Sequence, residues 1–189
     1  MFLGRKPPGG KRLVNVQNCF RAQDIDEIGD NRHTTFFRML GNWSLGNYFK
    51  AEQITWLFEF LTVELKLDPQ KLYVTVFEGS KDVPEDNESI AIWKEQYAKV
   101  GIKAEVGKRI FKYGVSKNWW SRSGTPDKMP AGEPGGPDTE VFFDFGKNLE
   151  IHEKSPYRES SCHPNCECGR FLEIGNSVFM EFKKTEDGF

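Results

Sequence analysis

Apolar residues recur at helical intervals through the second quarter of the chain. Ile54, Leu57, Phe58, Leu61 and Leu65 stand three and four apart, which predicts a helix from about Ala51 to Leu67, stopped by Asp68-Pro69. Trp56, Phe60 and Val63 add a second stripe, so this helix is expected to be buried on more than one side. The period then changes to two. Lys71 to Glu78 is β-branched and aromatic in alternation and predicts a strand. After an acidic loop, Asp86 or Asn87 is placed to cap a second helix from about Glu88 to Val100, which Gly101 ends. Leu13 to Gln17, Arg109 to Tyr113, Glu140 to Phe145 and Phe171 to Lys183 read as further strands. Residues 1 to 12 are a Pro/Gly/basic lead-in, and 121 to 139 form a Pro/Gly loop too long for a simple connector. The class is α+β.

Between Asn18 and Asn42 two short apolar arms flank an acidic loop, Gln23 to Asn31. The first arm ends in Cys19-Phe20-Arg21, and the second begins Arg32-His33-Thr34-Thr35-Phe36-Phe37. This predicts a long hairpin with a cation near its mouth on each arm. An arginine offers a planar set of donors to phosphate or carboxylate oxygens, and an aromatic beside it can take a purine face. An ordinary surface hairpin with solvated charges satisfies the same pattern.

With 189 residues, 38% of them apolar and 16 of them Phe, the chain can bury one core. A net charge of −2 gives no global nucleic-acid signal. A local run is basic: Lys99, Lys103, Lys108, Arg109, Lys112, Lys117 and Arg122, against Glu105, with Phe111, Tyr113, Trp119 and Trp120 interleaved. It suits a polyanion such as ATP or an RNA end, and equally a solvated basic face. Cys162, His163, Cys166 and Cys168 make a compact C-H-x-x-C-x-C cluster within 158–170. Three soft sulfurs and one imidazole suit tetrahedral Zn²⁺, whereas reduced thiols in a loop are the plain alternative. No apolar run reaches the roughly 18 residues of a membrane span, the start lacks a signal-peptide pattern, and clustered thiols fit a reducing compartment. A cytoplasmic protein without a membrane partner is the expectation.

The hairpin continues into Met39-Leu40-Gly41-Asn42-Trp43-Ser44-Leu45-Gly46-Asn47-Tyr48-Phe49. Together these stretches resemble motif 2 of the class II aminoacyl-tRNA synthetases, in the alanyl-tRNA synthetase family. Lys117-Asn118-Trp119-Trp120, Gly136 to Asp144 and Glu173 to Phe182 resemble further family elements, in family order. The second departs from the family at Asp138, where bacterial members carry cysteine; the third departs at Gly175, where a tryptophan is usual.

The resemblance implies a class II synthetase-like antiparallel sheet flanked by helices, incomplete here. Residues 1–189 would be part of the aminoacylation domain, with the motif 1 region before Met1 (Phe2-Leu3-Gly4 as its tail) and motif 3 after Phe189. It implies activation of alanine by ATP with Mg²⁺ and transfer to the acceptor end of tRNA(Ala), with the remainder of a synthetase chain as partner. Arg21 would hold the α-phosphate and the alanine carboxylate, and His33 would lie near the distal phosphates. Phe37 would stack on adenine, with Phe36 in the core on the alternate face. Glu173 would assist Mg²⁺ or ATP, and Glu140 would face the ATP or RNA end. Trp120, Asn176 and Val178 would form the alanine pocket. A non-catalytic nucleotide- or RNA-binding module of the same fold, and a zinc-stabilised domain without ligand, are the alternatives.

Overall fold

The computed structural model describes residues 9–189, apart from the side chains of Gln23 and Asp24. Phe2-Leu3-Gly4 and most of the lead-in lie outside the described residues. The chain divides into two units, Met1–Phe49 and Lys50–Phe189.

The first unit is the hairpin. Strands β1 (Arg12–Phe20) and β2 (Phe36–Ser44) pair antiparallel from Arg12 opposite Ser44 to Phe20 opposite Phe36. The ladder runs one step further, because the Arg21 amide donates to the Thr35 carbonyl at 2.7 Å. A 3₁₀ turn over Ala22–Glu27 occupies part of the loop. Alternation sends Val14, Val16, Phe20, Phe36 and Leu40 to exposed positions. Phe36, expected in the core, is therefore 64% exposed. A two-stranded ribbon has no second layer of its own to bury that face.

The second unit is a mixed sheet with two helices. Helix α1 (Lys50–Glu59) continues as a π-helical turn, Phe60–Glu64. Then follow β3 (Leu72–Phe77), α2 (Asn87–Lys99), β4 (Ile110–Tyr113), β5 (Trp119–Ser121), β6 (Pro134–Asp144), β7 (Phe171–Val178) and β8 (Phe182–Lys183). The sheet's centre is β6, which pairs antiparallel with β3, β5, β7 and β8. The expected antiparallel sheet acquires one parallel pair, β3–β4, because the α2 crossover returns the chain alongside β3. Asp86 caps α2, its carboxylate accepting from the Ser89 amide at 3.1 Å.

The main core joins these layers. Ile54, Phe58 and Leu61 meet Ile90, Trp93 and Tyr97 over Leu72, Val74, Val76 and Val141. Its two buried polar tips find partners: Trp93 Nε1 donates to Thr139 Oγ1 and Tyr97 Oη to the Leu72 carbonyl, each at 2.8 Å. The second stripe of α1 departs from expectation, since Trp56, Phe60 and Val63 are exposed. Two residues on from Ile54, Phe58 and Leu61 is roughly 200° around the helix, and the sheet covers only one side.

Strand β6 also begins six residues before the predicted strand, inside the stretch read as loop. Its Pro and Gly residues are there for packing. Pro134 opens the strand, where the missing amide costs nothing, and the Pro137 carbonyl accepts from Phe179 N at 2.9 Å. At Gly136 a Cβ would lie 1.8 Å from the Phe179 carbonyl oxygen, so no side chain fits.

Candidate nucleotide, amino-acid and metal sites

In the hairpin unit, the register sets Cys19 opposite Phe37 and leaves Arg21 just beyond the last rung. The guanidinium carbon of Arg21 lies 4.9 Å from the Phe37 ring centroid. A delocalised cation over an aromatic face helps to hold both groups in place. His33 is held differently. Its Nδ1 lies 2.7 Å from Asp30 Oδ2 and its Nε2 2.9 Å from Glu27 Oε2. Asp30 Oδ1 accepts the amides of Arg32 at 2.9 Å and His33 at 2.7 Å. Desolvation works against ionised Asp30, but these amides and the His33 ring outweigh it and hold the carboxyl at about 2. The loop is thus tied to the start of the second arm by two carboxylates, Asp30 and Glu27.

In the sheet unit, β6 organises the remaining candidates. Trp120 stands opposite Gly136, Val178 opposite Asp138, Asn176 opposite Glu140, and Glu173 opposite Phe142 across a bulge at Val141/Phe142. Alternate residues of a strand share a face, so Asp138 and Glu140 and their partners Val178 and Asn176 lie together. Glu173, Asn176 and Trp120 are exposed at the surface of this array, whereas Asp138 and Glu140 are buried beneath it. Asn118, fully buried, donates to Asp138 Oδ1 at 3.0 Å and to Thr75 Oγ1 at 2.8 Å, and Thr75 donates on to Glu140 Oε2 at 3.0 Å. Desolvation, then the charges of Glu173 and Asp138, push Glu140 up to about 8; desolvation and Glu173 raise Asp138 to about 7. A floor of two acids favouring their neutral forms lies beneath a rim of tryptophan, asparagine and valine. Glu140, expected to face a ligand directly, is bonded within this floor.

The basic run does not form one open patch. Lys103 and Lys108 both clasp Glu105, at 2.8 and 2.6 Å, Lys99 pairs with Glu95 at 3.0 Å and Lys112 with Glu85 at 3.2 Å. Arg109 donates to the carbonyls of Gln70 and Leu72 and stacks 4.4 Å over Tyr73. The arrangement matches the solvated basic face.

The cysteine cluster is rearranged in one respect. Cys162, Cys166 and Cys168 do converge, but the imidazole among them is His152, and the four ligand atoms lie within 4.8 Å of one another. His163, the expected fourth ligand, instead places Nδ1 2.7 Å from Tyr113 Oη. Adjacent side chains such as Cys162 and His163 diverge, and here only the cysteine turns inward. His152 carried a faint signal: it is one of only three histidines, but it precedes the first cysteine of the cluster by ten positions.

Two further features were missed in the sequence. Lys50 is buried, with Nζ 3.0 Å from Asp86 Oδ1 and 2.8 Å from Glu181 Oε2, tying α1, the α2 cap and the β7–β8 turn together. Burial disfavours its charge, yet Glu181 and Asp86 prevail and raise its pKa. Arg170 makes a buried bidentate pair with Asp144, at 2.7 and 2.6 Å, at the end of the β6–β7 ladder.

The family model for class II (A) tRNA synthetases matches residues 1–189, and the chain belongs to that family. Among curated relatives, alanine–tRNA ligases of Treponema denticola and Treponema pallidum are 47% and 46% identical over 99% of this chain. The alanine–tRNA ligase of Rubrobacter xylanophilus is 42% identical over the same share. The chain spans 28% of each Treponema relative and 20% of the Rubrobacter one.

Proposed function

We propose that this chain is the ATP- and alanine-binding part of an alanine–tRNA ligase, acting with the remainder of a synthetase chain. The observation that carries the reading is the Arg21–Phe37 pair at the hairpin mouth, which offers a fixed cation and a purine platform in one unit. A carboxylate oxygen of alanine attacks the α-phosphorus of ATP, the bond to the β-phosphate bridging oxygen breaks, and pyrophosphate leaves. A ribose hydroxyl at the tRNA acceptor end then attacks the alanyl carbonyl, the acyl–phosphate bond breaks, and AMP leaves as the alanyl ester forms. Neither step needs a covalent bond to the protein; position and charge neutralisation supply the acceleration.

In this reading Arg21 neutralises the α-phosphate and orients the alanine carboxylate, and Phe37 supports adenine. His33 reaches the distal phosphates on exchanging Glu27, the more exposed of its two carboxylate partners, for phosphate oxygen. Mg²⁺ supplies charge neutralisation at the phosphates when bound, with Glu173 on the open face as its candidate protein contact. Trp120 and Val178 bound a small pocket, and Asn176 hydrogen-bonds the substrate. Such a pocket separates alanine from glycine by only about 1–3 kcal/mol, the contribution of one small apolar group.

The test is calorimetric titration of the chain with a non-hydrolysable alanyl-adenylate analogue. Saturable binding that Arg21→Ala weakens by at least about tenfold supports the reading, as expected for loss of a charge-assisted hydrogen bond of about 1.5–3 kcal/mol. Equal binding by both proteins, or none by a folded chain, overturns it. Taken alone, a chain that spans 28% of its Treponema relatives is expected to be at best feebly active in ATP–pyrophosphate exchange, because loss of even one fixed donor costs on the order of 10²–10³-fold.

A further inference from the structure

The segment between β6 and β7 has only one short 3₁₀ turn, Lys147–Leu149, yet it folds back so that both its ends contribute to one cluster. Cys162 Sγ and Cys168 Sγ are 3.8 Å apart, and Cys166 Sγ and His152 Nδ1 are 3.6 Å apart. No disulfide joins these cysteines. A tetrahedral zinc ion with Zn–S of about 2.3 Å and Zn–N of about 2.0–2.1 Å requires S···S edges of about 3.8 Å and S···N edges of about 3.5–3.6 Å. Both observed separations are edges of that tetrahedron.

The surroundings suit the same ion. His152 Nε2 lies 3.0 Å from the Ser160 carbonyl, a partner that can only accept, so the proton sits on Nε2 and the Nδ1 lone pair faces the sulfurs. The Arg170 amide donates to Cys168 Sγ at 3.5 Å, and its guanidinium reaches Cys162 Sγ at 3.9 Å. These donors stabilise sulfur as thiolate. Three thiolates would leave the centre with a net negative charge, which the neighbouring Arg170 partly offsets.

We propose that His152, Cys162, Cys166 and Cys168 form a structural Zn²⁺ site. Four protein ligands close the coordination sphere and leave no position for substrate. The ion staples the β6–β7 segment just beyond the Arg170–Asp144 pair. It thereby sets His163 against Tyr113, on the strand that pairs with β3. This proposal does not depend on the identity of the ligase substrate.

The test is metal analysis of the chain purified without a histidine tag and dialysed against a mild chelator. One zinc per chain is expected, with His163→Ala retaining it and His152→Ala losing it. His152→Cys guards against simple misfolding: it should retain the metal, and in the Co²⁺-substituted protein its thiolate-to-metal charge-transfer absorption should exceed that of the parent. Occupied protein should also show slower amide exchange across residues 146–170 than chelator-stripped protein. Retention by His152→Ala with loss by His163→Ala would overturn the assignment. So would a folded parent chain that takes up no zinc on reconstitution.

Discussion

Glu140 shows how one residue's environment sets a property of the fold. It is buried beside Asp138 and near Glu173, and Lys117 offsets this only in part. A carboxyl held at about 8, against 4.5 when exposed, binds more protons folded than unfolded between those values. The stability it contributes is therefore complete below about pH 4.5 and is lost as pH rises through 8. Glu140→Gln keeps an acceptor for Thr75 while removing the titration. We expect the denaturation midpoint of the parent to fall more steeply between pH 5 and pH 8 than that of the variant, with the variant the more stable at pH 8. Parallel pH profiles would show that Glu140 ionises freely. Arg21 is the other residue-scale case, since its value lies in its place just beyond the last rung, over the Phe37 ring, rather than in its charge alone.

Among the elements, β6 determines the sheet unit, because four strands pair with it. The glycines of β6 and of its partner β7 are not equivalent. A Cβ at Gly136 would sit 1.8 Å from the Phe179 carbonyl oxygen, whereas at Gly175 on β7 it would meet Leu57 at an ordinary 3.5 Å. Gly136→Ala should destabilise the chain by roughly 2–3 kcal/mol, as overpacking against backbone does. Gly175→Ala should change stability by about 0.5 kcal/mol or less. Denaturant midpoints of the two variants would check this, and equal midpoints would contradict the close approach. Helix spans, the Asp86 cap and strand β3 were legible in the sequence, because period and capping act over a few neighbouring residues. The first half of β6 was not. Its Pro and Gly residues resemble loop chemistry unless the strands crossing them are known.

For the whole molecule, the division at Phe49/Lys50 has an energetic consequence. Every residue of the main core, from Ile54 to Phe179, belongs to the second unit. A chain comprising residues 50–189 should therefore unfold cooperatively, with the hydrophobic core intact. The hairpin alone should not hold a stable fold, since isolated two-stranded ribbons are marginal in water. Thermal unfolding followed by near-ultraviolet circular dichroism would decide this; a 50–189 chain without a cooperative transition would contradict it. Among the described residues no helix is long and apolar enough to cross a membrane.

The sequence by itself determined the family, the α+β class, the existence of most elements and the identity of the hairpin and pocket candidates. These rest on residue types at short, fixed spacings. Tertiary structure alone decided the separations that no spacing encodes. It set His152 rather than His163 among the thiols, and it buried Lys50 between two acids and Asp138 and Glu140 within the sheet unit. It also left Phe36 and Trp56 at the surface. The physical reason is common to all of these. Alternation along a strand or helix says which residues share a face, but only the packed chain says whether another layer covers that face and which distant side chain meets it.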